Sequence, residues 1–246
     1  MSVTVTFAGC GDAFGSGGRF NTCFVVDAPN LRFTIDFGAT SLVALNQWGI
    51  DHNTIDAIVL THFHGDHCGG VPFLILDAML AAKRTTPLTI IGPRDTQARL
   101  TTMADALLPG MSGMNPKFDL CYCDTGFLQP SSFGPLTVTS YPAEHTDATN
   151  PASVRVEIAG TVISYTGDTG WTEHLPAVAR DADLFICESY HYSKPVRFHL
   201  NYCDIRQYRD QLRPKRMILT HFSREMLTFA DAVGEECAHD GLVMAI

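Results

Sequence analysis

Residues 57–67 read Ala57-Ile58-Val59-Leu60-Thr61-His62-Phe63-His64-Gly65-Asp66-His67. The first four are apolar and bounded by polar residues, which predicts a buried strand. Three histidines and an aspartate then crowd the place where that strand becomes a loop. Imidazole and carboxylate are the nitrogen and oxygen donors that Zn²⁺ takes. Alternate residues of an extended segment share a face, so His62 and His64 are expected to address one ion, and Asp66 and His67 to turn toward a second.

Three more residues have the same placement. His145 follows a predicted strand at 136–141, Asp168 follows one at 161–166 in Thr166-Gly167-Asp168-Thr169, and His221 follows one at 216–220. Together with His62, His64, Asp66 and His67 they have the number and type of donors that two transition-metal ions need, most naturally zinc, with Mn²⁺ or Fe²⁺ as substitutes. A carboxylate such as Asp168 can bridge two cations.

The remaining chain supplies a frame for these loops. Apolar, β-branched segments at 3–8, 22–27, 32–36, 57–61, 88–91, 117–123 and 136–141, and again at 153–159, 161–166, 184–187 and 216–220, predict strands. Apolar residues three and four apart predict helices at 40–48, 71–82, 93–108, 173–180 and 202–212. Two hairpin-rich strand groups, each followed by helices, suit two mixed sheets packed face to face with helices outside, as one domain over 1–246. Residues 109–116, with two glycines and two methionines, are the longest loop expected to be mobile.

Composition excludes several classes. No signal peptide is visible, and the apolar stretch 71–82 is too short for the roughly 20 residues of a bilayer span, so a cytoplasmic location with no membrane is expected. The 8 cysteines are then reduced thiols, and Cys121 and Cys123 match no common zinc spacing. A net charge of -9 argues against a stable nucleic-acid coat. From Lys194 to Arg224, however, eight basic residues face only Asp204 and Asp210, which favours an anionic substrate.

On these motifs the chain resembles the metallo-β-lactamase superfamily, from Asp36 in Thr34-Ile35-Asp36-Phe37-Gly38 through the HxHxDH run to His145, Asp168 and His221. The resemblance implies a four-layer αββα sandwich with a di-metal site at one edge. It gives His62, His64 and His145 to one metal, Asp66, His67 and His221 to the other, and Asp168 to both. Asp36 is implied to orient the histidine run without ligating. A narrower resemblance, carried by Gly9-Cys10-Gly11-Asp12, Arg19-Phe20-Asn21-Thr22, Ile91-Gly92-Pro93, Glu188, His199 and Thr220-His221-Phe222-Ser223-Arg224, is to the tRNase Z and cyclic phosphodiesterase branch. Between Ile91-Gly92-Pro93 and His145 there is no room for the long Gly- and Lys-rich arm with which many tRNase Z enzymes grip tRNA. A homodimer is implied by the same resemblance alone.

Hydrolytic chemistry follows. Two adjacent cations lower the pKa of a bound water toward about 7, and the resulting hydroxide attacks phosphorus in line. The departing alkoxide needs a proton, which His199, oriented by Glu188, is placed in the resembling enzymes to give. Asp66, Glu188 and His199 are thus the candidate catalytic residues, and Arg19 is a candidate phosphate contact. The expected substrate is a small, cyclic or RNA-end phosphodiester; a lactone, thioester or sulfate ester would use the same metal site, and a non-catalytic sensor is the remote alternative.

Overall fold

The structure, a computed structural model, describes residues 2–246. Strands β1 (Thr4–Gly9), β2 (Cys23–Ala28) and β3 (Leu31–Ile35) pair antiparallel. Pro29 and Asn30 turn the chain between the last two, with Asn30 at φ +62°. The chain then alternates helix and strand: α1 (Ser41–Gln47), β4 (Ala57–Val59), α2 (Gly65–Cys68), α3 (Val71–Leu80), β5 (Leu88–Gly92), α4 (Thr96–Leu107) and β6 (Leu120–Asp124). Here β3 to β6 pair parallel. The pattern repeats in the second half. Strands β7 (Pro130–Phe133), β8 (Leu136–Pro142), β9 (Ala152–Ile158) and β10 (Thr161–Tyr165) are antiparallel. Then come α5 (Leu175–Ala179), β11 (Leu184–Glu188), α6 (Tyr202–Gln207), α7 (Arg209–Leu212), β12 (Met217–Thr220), α8 (Arg224–Leu227) and β13 (Glu236–Cys237), whose strands are parallel. Finally β14 (Leu242–Ala245) returns to pair with β1. Short turns permit only antiparallel neighbours and long crossovers permit parallel ones, so each half carries both kinds of pairing.

The result is two seven-stranded sheets, ordered β14-β1-β2-β3-β4-β5-β6 and β13-β12-β11-β10-β9-β8-β7. Their facing sides form the central core, where the Phe24 ring meets Tyr165 edge-on across the two sheets at 5.1 Å. Successive strand residues point to opposite faces, so Phe24 and Val26 enter this core while Cys23 and Val25 pack outward with Leu45, Ile58 and Leu74. A third cluster, including Val178, Phe185, Ile205 and Leu219, buries the outer face of the second sheet. Helix, sheet, sheet and helix are the four expected αββα layers.

Several boundaries differ from the sequence expectation. The helix expected at 93–108 starts at Thr96, where Asp124 accepts from the Asp95 and Thr96 amides. The one at 202–212 divides into α6 and α7 around Tyr208. The loop at 109–116 contains a 3-10 turn at Met111–Gly113, with Met111 buried. Residues 93–135 fold into α4, β6 and β7, with no projecting arm. Among the described residues, no helix is long and apolar enough to cross a membrane.

Gly38 joins the frame to the histidine run. A Cβ there would lie 2.1 Å from the Asp66 carbonyl oxygen and 2.5 Å from Asn21 Cβ. Gly38→Ala is expected to cost about 1–3 kcal/mol in urea unfolding of the chelator-treated protein. Gly113→Ala, where a Cβ meets nothing within 4 Å, is the comparison; equal stability of the two variants would contradict the close approach.

Candidate metal centre

All the predicted donors lie along the edge where the strands of both sheets end. His62 and His64 follow β4, Asp66 and His67 ride on α2, His145 follows β8, Asp168 follows β10 and His221 follows β12. Their donor atoms form two sets. In the first, His64 Nδ1 is 3.1 Å from His62 Nε2 and 3.0 Å from His145 Nε2, and Asp168 Oδ2 is 4.0 Å from both Nε2 atoms. In the second, Asp66 Oδ2 is 3.3 Å from both His67 Nε2 and His221 Nε2, while Asp168 Oδ1 is 3.2 Å and 3.4 Å from the same two nitrogens. Asp168 therefore turns one oxygen to each set.

These contacts do not make sense as hydrogen bonds alone. One ring nitrogen, His64 Nδ1, faces two others, yet it can carry at most one proton. His67 Nε2 and Asp168 Oδ1 are buried with no hydrogen-bond partner, a rare condition for buried polar atoms. A tetrahedral ion with bonds of ~2.0–2.1 Å spaces its ligand atoms by ~3.3 Å, close to the separations above. The donor atoms in each set lie within 4.8 Å of one another, and each set is one that could hold a metal ion.

The outward ring nitrogens are held. Asp36 Oδ2 accepts from His67 Nδ1 at 2.7 Å, and its carboxylate also accepts from the Thr61 amide at 2.8 Å and the Thr61 hydroxyl at 2.8 Å. This ties Nδ1 to the Asp36 carboxylate and turns Nε2 toward the centre. The Phe198 carbonyl accepts from His145 Nδ1 at 3.2 Å. Asp36, Phe198 and His221 have φ of +59°, +72° and +61°. Left-handed backbone is costly for a residue with a Cβ, and here it surrounds the site.

Electrostatics separate the two sets. Burial drives the protons off His62, His64 and His145, the last to a pKa of about 4, so these rings stay neutral as ligands must. Burial acts the same way on His67, but Asp168, Asp66 and Asp36 overcome it and raise the pKa. Asp168 is itself fully enclosed, which favours its neutral acid, yet His221 and His67 hold it ionised far below the usual carboxylate range.

Glu188, the last residue of β11, is buried, and its Oε2 lies 2.9 Å from His199 Nδ1. Its other oxygen accepts from the Thr169 and Leu200 amides. Although Asp168, Glu188, His199 and His221 form a third cluster of donors, the Glu188 oxygens are already occupied by N–H groups. Burial opposes the charge on His199, but Glu188 outweighs it and raises the pKa to about 9.

Other expectations resolve differently. Arg19 points away from the donors: its guanidinium donates to the Ala238 carbonyl at 2.9 Å and lies over the Phe222 ring at 5.3 Å, so it is tied to the C-terminal segment and is no phosphate contact. In the basic run, Lys215 pairs with Asp183 and Arg216 with Glu236. Arg197 stacks on Phe198 at 4.3 Å and lines a hollow beside His145. The cysteines are free thiols. Thr61, the Phe198 carbonyl and Tyr190, whose ring lies 4.7 Å from that of His199, were not found by sequence reasoning. A hydroxyl, a carbonyl and a lone tyrosine carry no spacing signal.

This sandwich, with its paired histidine and aspartate sets at one edge, is that of a metallo-β-lactamase-fold protein, similar to tRNase Z without the long arm. It superposes on the metallo-β-lactamase fold protein YhfI of Bacillus subtilis with a TM-score of 0.79 at 19% identity, covering 98% of each chain. The short form of human tRNase Z matches with a TM-score of 0.79 at 22% identity, over 99% of each chain. An uncharacterized protein of Mycobacterium tuberculosis is 28% identical over 257 residues, spanning 100% of this chain and 90% of its own. Residues 3–240 match the family described as anti-Pycsar protein Apyc1, and the chain belongs to that family.

Asp36 is the test of the local design. Asp36→Ala would strand the Thr61 amide and hydroxyl and the His67 ring, and would leave alanine at φ +59°. A loss of about 3–5 kcal/mol is expected in chelator-treated protein, the range for breaking a buried ion pair. Asp36→Asn, which tolerates the same backbone, should lose less. A loss under about 1 kcal/mol in the alanine variant would remove Asp36 from this role.

Proposed function

We propose that the chain is a two-metal phosphodiesterase acting on a small anionic phosphodiester, cyclic or at an RNA end. In this reading His62, His64 and His145 hold one ion, Asp66, His67 and His221 hold the other, and Asp168 serves both, with zinc the metal that this donor set suits. When bound, the ions supply an activated water and positive charge for the phosphate oxygens.

The observation that carries the reading is the Glu188–His199 pair beside the donor sets. His199, whose ring lies 5.1 Å from that of His145, and Tyr190 border the same hollow of about 270 Å³ as Asp66 and Asp168. That volume suits a small substrate. His199 uses Nδ1 on Glu188, which leaves its Nε2 proton to give to a departing oxygen. Its pKa, raised to about 9 by Glu188 in the face of burial, keeps it an acid at neutral pH. Cations at the centre pull that value back toward neutrality, where a general acid works best. A thiolate leaving group would need no such donor, and a neutral ester no neighbouring cation such as Arg197.

Two outcomes are expected. Elemental analysis of protein purified without chelator should find about two transition-metal ions per chain; a sample that never exceeds a trace after careful loading would sink the proposal. In a substrate panel of a model phosphodiester, a 2′,3′-cyclic nucleotide, a lactone, a thioester and a β-lactam, the phosphodiesters should be preferred. A lactone or thioester winner would replace the reading.

His199→Ala should slow cleavage in proportion to how poor the leaving group is. The loss should be small for a nitrophenyl ester and approach ~10²- to 10⁴-fold for an alkyl or nucleoside leaving group, at unchanged metal content. Equal losses on both would make His199 a positioning residue.

A further inference from the structure

The cleft over the two donor sets has a wall that the chemistry above does not use. Asp12, Ala13 and Phe14 contribute to it. The Phe14 side chain is 78% exposed, more than any other large apolar residue among those described. An isolated exposed phenylalanine is ordinary on a protein surface. This one differs in how it is held.

The loop beneath it is pinned. The Asp12 carboxylate, only 1% exposed, accepts from the Phe14 amide at 3.2 Å, the Ser16 amide at 2.9 Å and the Ser16 hydroxyl at 2.8 Å. Asn21 Nδ2 donates to the Asp12 carbonyl at 3.1 Å. Gly15, Gly17 and Gly18 all take positive φ, and a Cβ at Gly17 would reach within 2.7 Å of Leu227 Cδ1. A buried carboxylate with three donors, on a turn that needs its glycines, fixes the backbone at Phe14 without burying its ring. The core gains nothing from that arrangement. The cleft gains a flat apolar face at its mouth, on the same hollow as His64, Asp66 and His199.

We propose that Phe14 is a specificity-determining residue: its ring stacks on the base of a nucleoside phosphodiester whose phosphate lies at the donor sets. The inference rests on the phosphodiesterase reading. A phenyl ring carries no donor or acceptor, so it selects for a planar aromatic group without reading which base is present. Preordering the loop lowers the entropy cost of making that contact.

The test compares a nucleoside phosphodiester with its abasic analogue, the same sugar and phosphate with hydrogen in place of the base, in the metal-loaded protein. Stacking on an aromatic side chain is worth ~1–3 kcal/mol per base, so Phe14→Ala should lower the ratio of kcat/KM between the two compounds by about 10-fold, mainly through KM. Phe14→Leu, apolar but not flat, should fall similarly, and Phe14→Trp should keep the ratio. Calorimetric binding of a nucleoside monophosphate should weaken by the same factor in Phe14→Ala, a readout independent of turnover. A ratio unchanged in Phe14→Ala, or leucine equal to phenylalanine, overturns the stacking role and leaves the phosphodiesterase reading standing. Cleavage of neither compound by the wild-type protein overturns that reading instead, and the inference with it.

Discussion

Four carboxylates, Asp36, Asp66, Asp168 and Glu188, are buried together at the edge where the two sheets meet. Removing such charge from water is affordable only with positive partners and full hydrogen bonding. The chain supplies part of this itself. Thr61 and the amides of Thr169 and Leu200 satisfy Asp36 and Glu188, and His67, His199 and His221 are driven toward their charged forms, burial notwithstanding, by the acids around them. Asp168 lacks any neutral donor on Oδ1. The charge balance of the edge therefore calls for cations, and the layout of the rest of the fold can be understood as the means of assembling that edge.

Parallel strands contribute most to it. In β4, β11 and β12 each strand is buried on both faces, so the chain has to leave the sheet before a polar side chain finds room. His221 comes immediately after such a strand, His62 three residues beyond one, and Glu188 closes another. The turn out of the strand costs backbone strain. Asp36 and His221 sit in the left-handed region, where Asp and His are more tolerant than branched residues. Strain of this kind persists only where the surroundings over-determine it, as the Asp36 contacts to Thr61 and His67 do.

This division explains what was legible in the sequence. Ala57-Ile58-Val59-Leu60 and Met217-Ile218-Leu219-Thr220 announce themselves because double-sided burial demands continuous apolar runs, and the donors that follow them are chemically conspicuous. Edge strands have no such demand. Pro130-Ser131-Ser132-Phe133 forms β7 with alternate residues exposed, and β14 leaves Val243 61% exposed, so neither stood out. The four-residue helices α2 and α8 are too short for periodicity to register. Arg19 failed for a different reason. Its Gly-rich loop suggested access to a ligand, but its partner, the Ala238 carbonyl, lies 219 residues away in the chain, a distance no local pattern can report.

The same contrast bears on specificity. Side chains that hold cations are constrained by charge and geometry, and few residue types will serve; those that hold the rest of a substrate need only present a suitable surface. Around this centre the surface is sparse. The flexible arm is absent, Arg19 is committed to the C-terminal segment, and Lys215 and Arg216 are paired with Asp183 and Glu236. Phe14 and Tyr190 border the hollow over the donor sets, and Arg197 lines the one beyond His145. On the phosphodiesterase reading proposed above, most of the binding energy would come from the centre itself, and the aromatic faces would bias the choice among substrates that carry the right anion. On that reading, such a site would tolerate variation in the group attached to the phosphate more readily than variation in the phosphate.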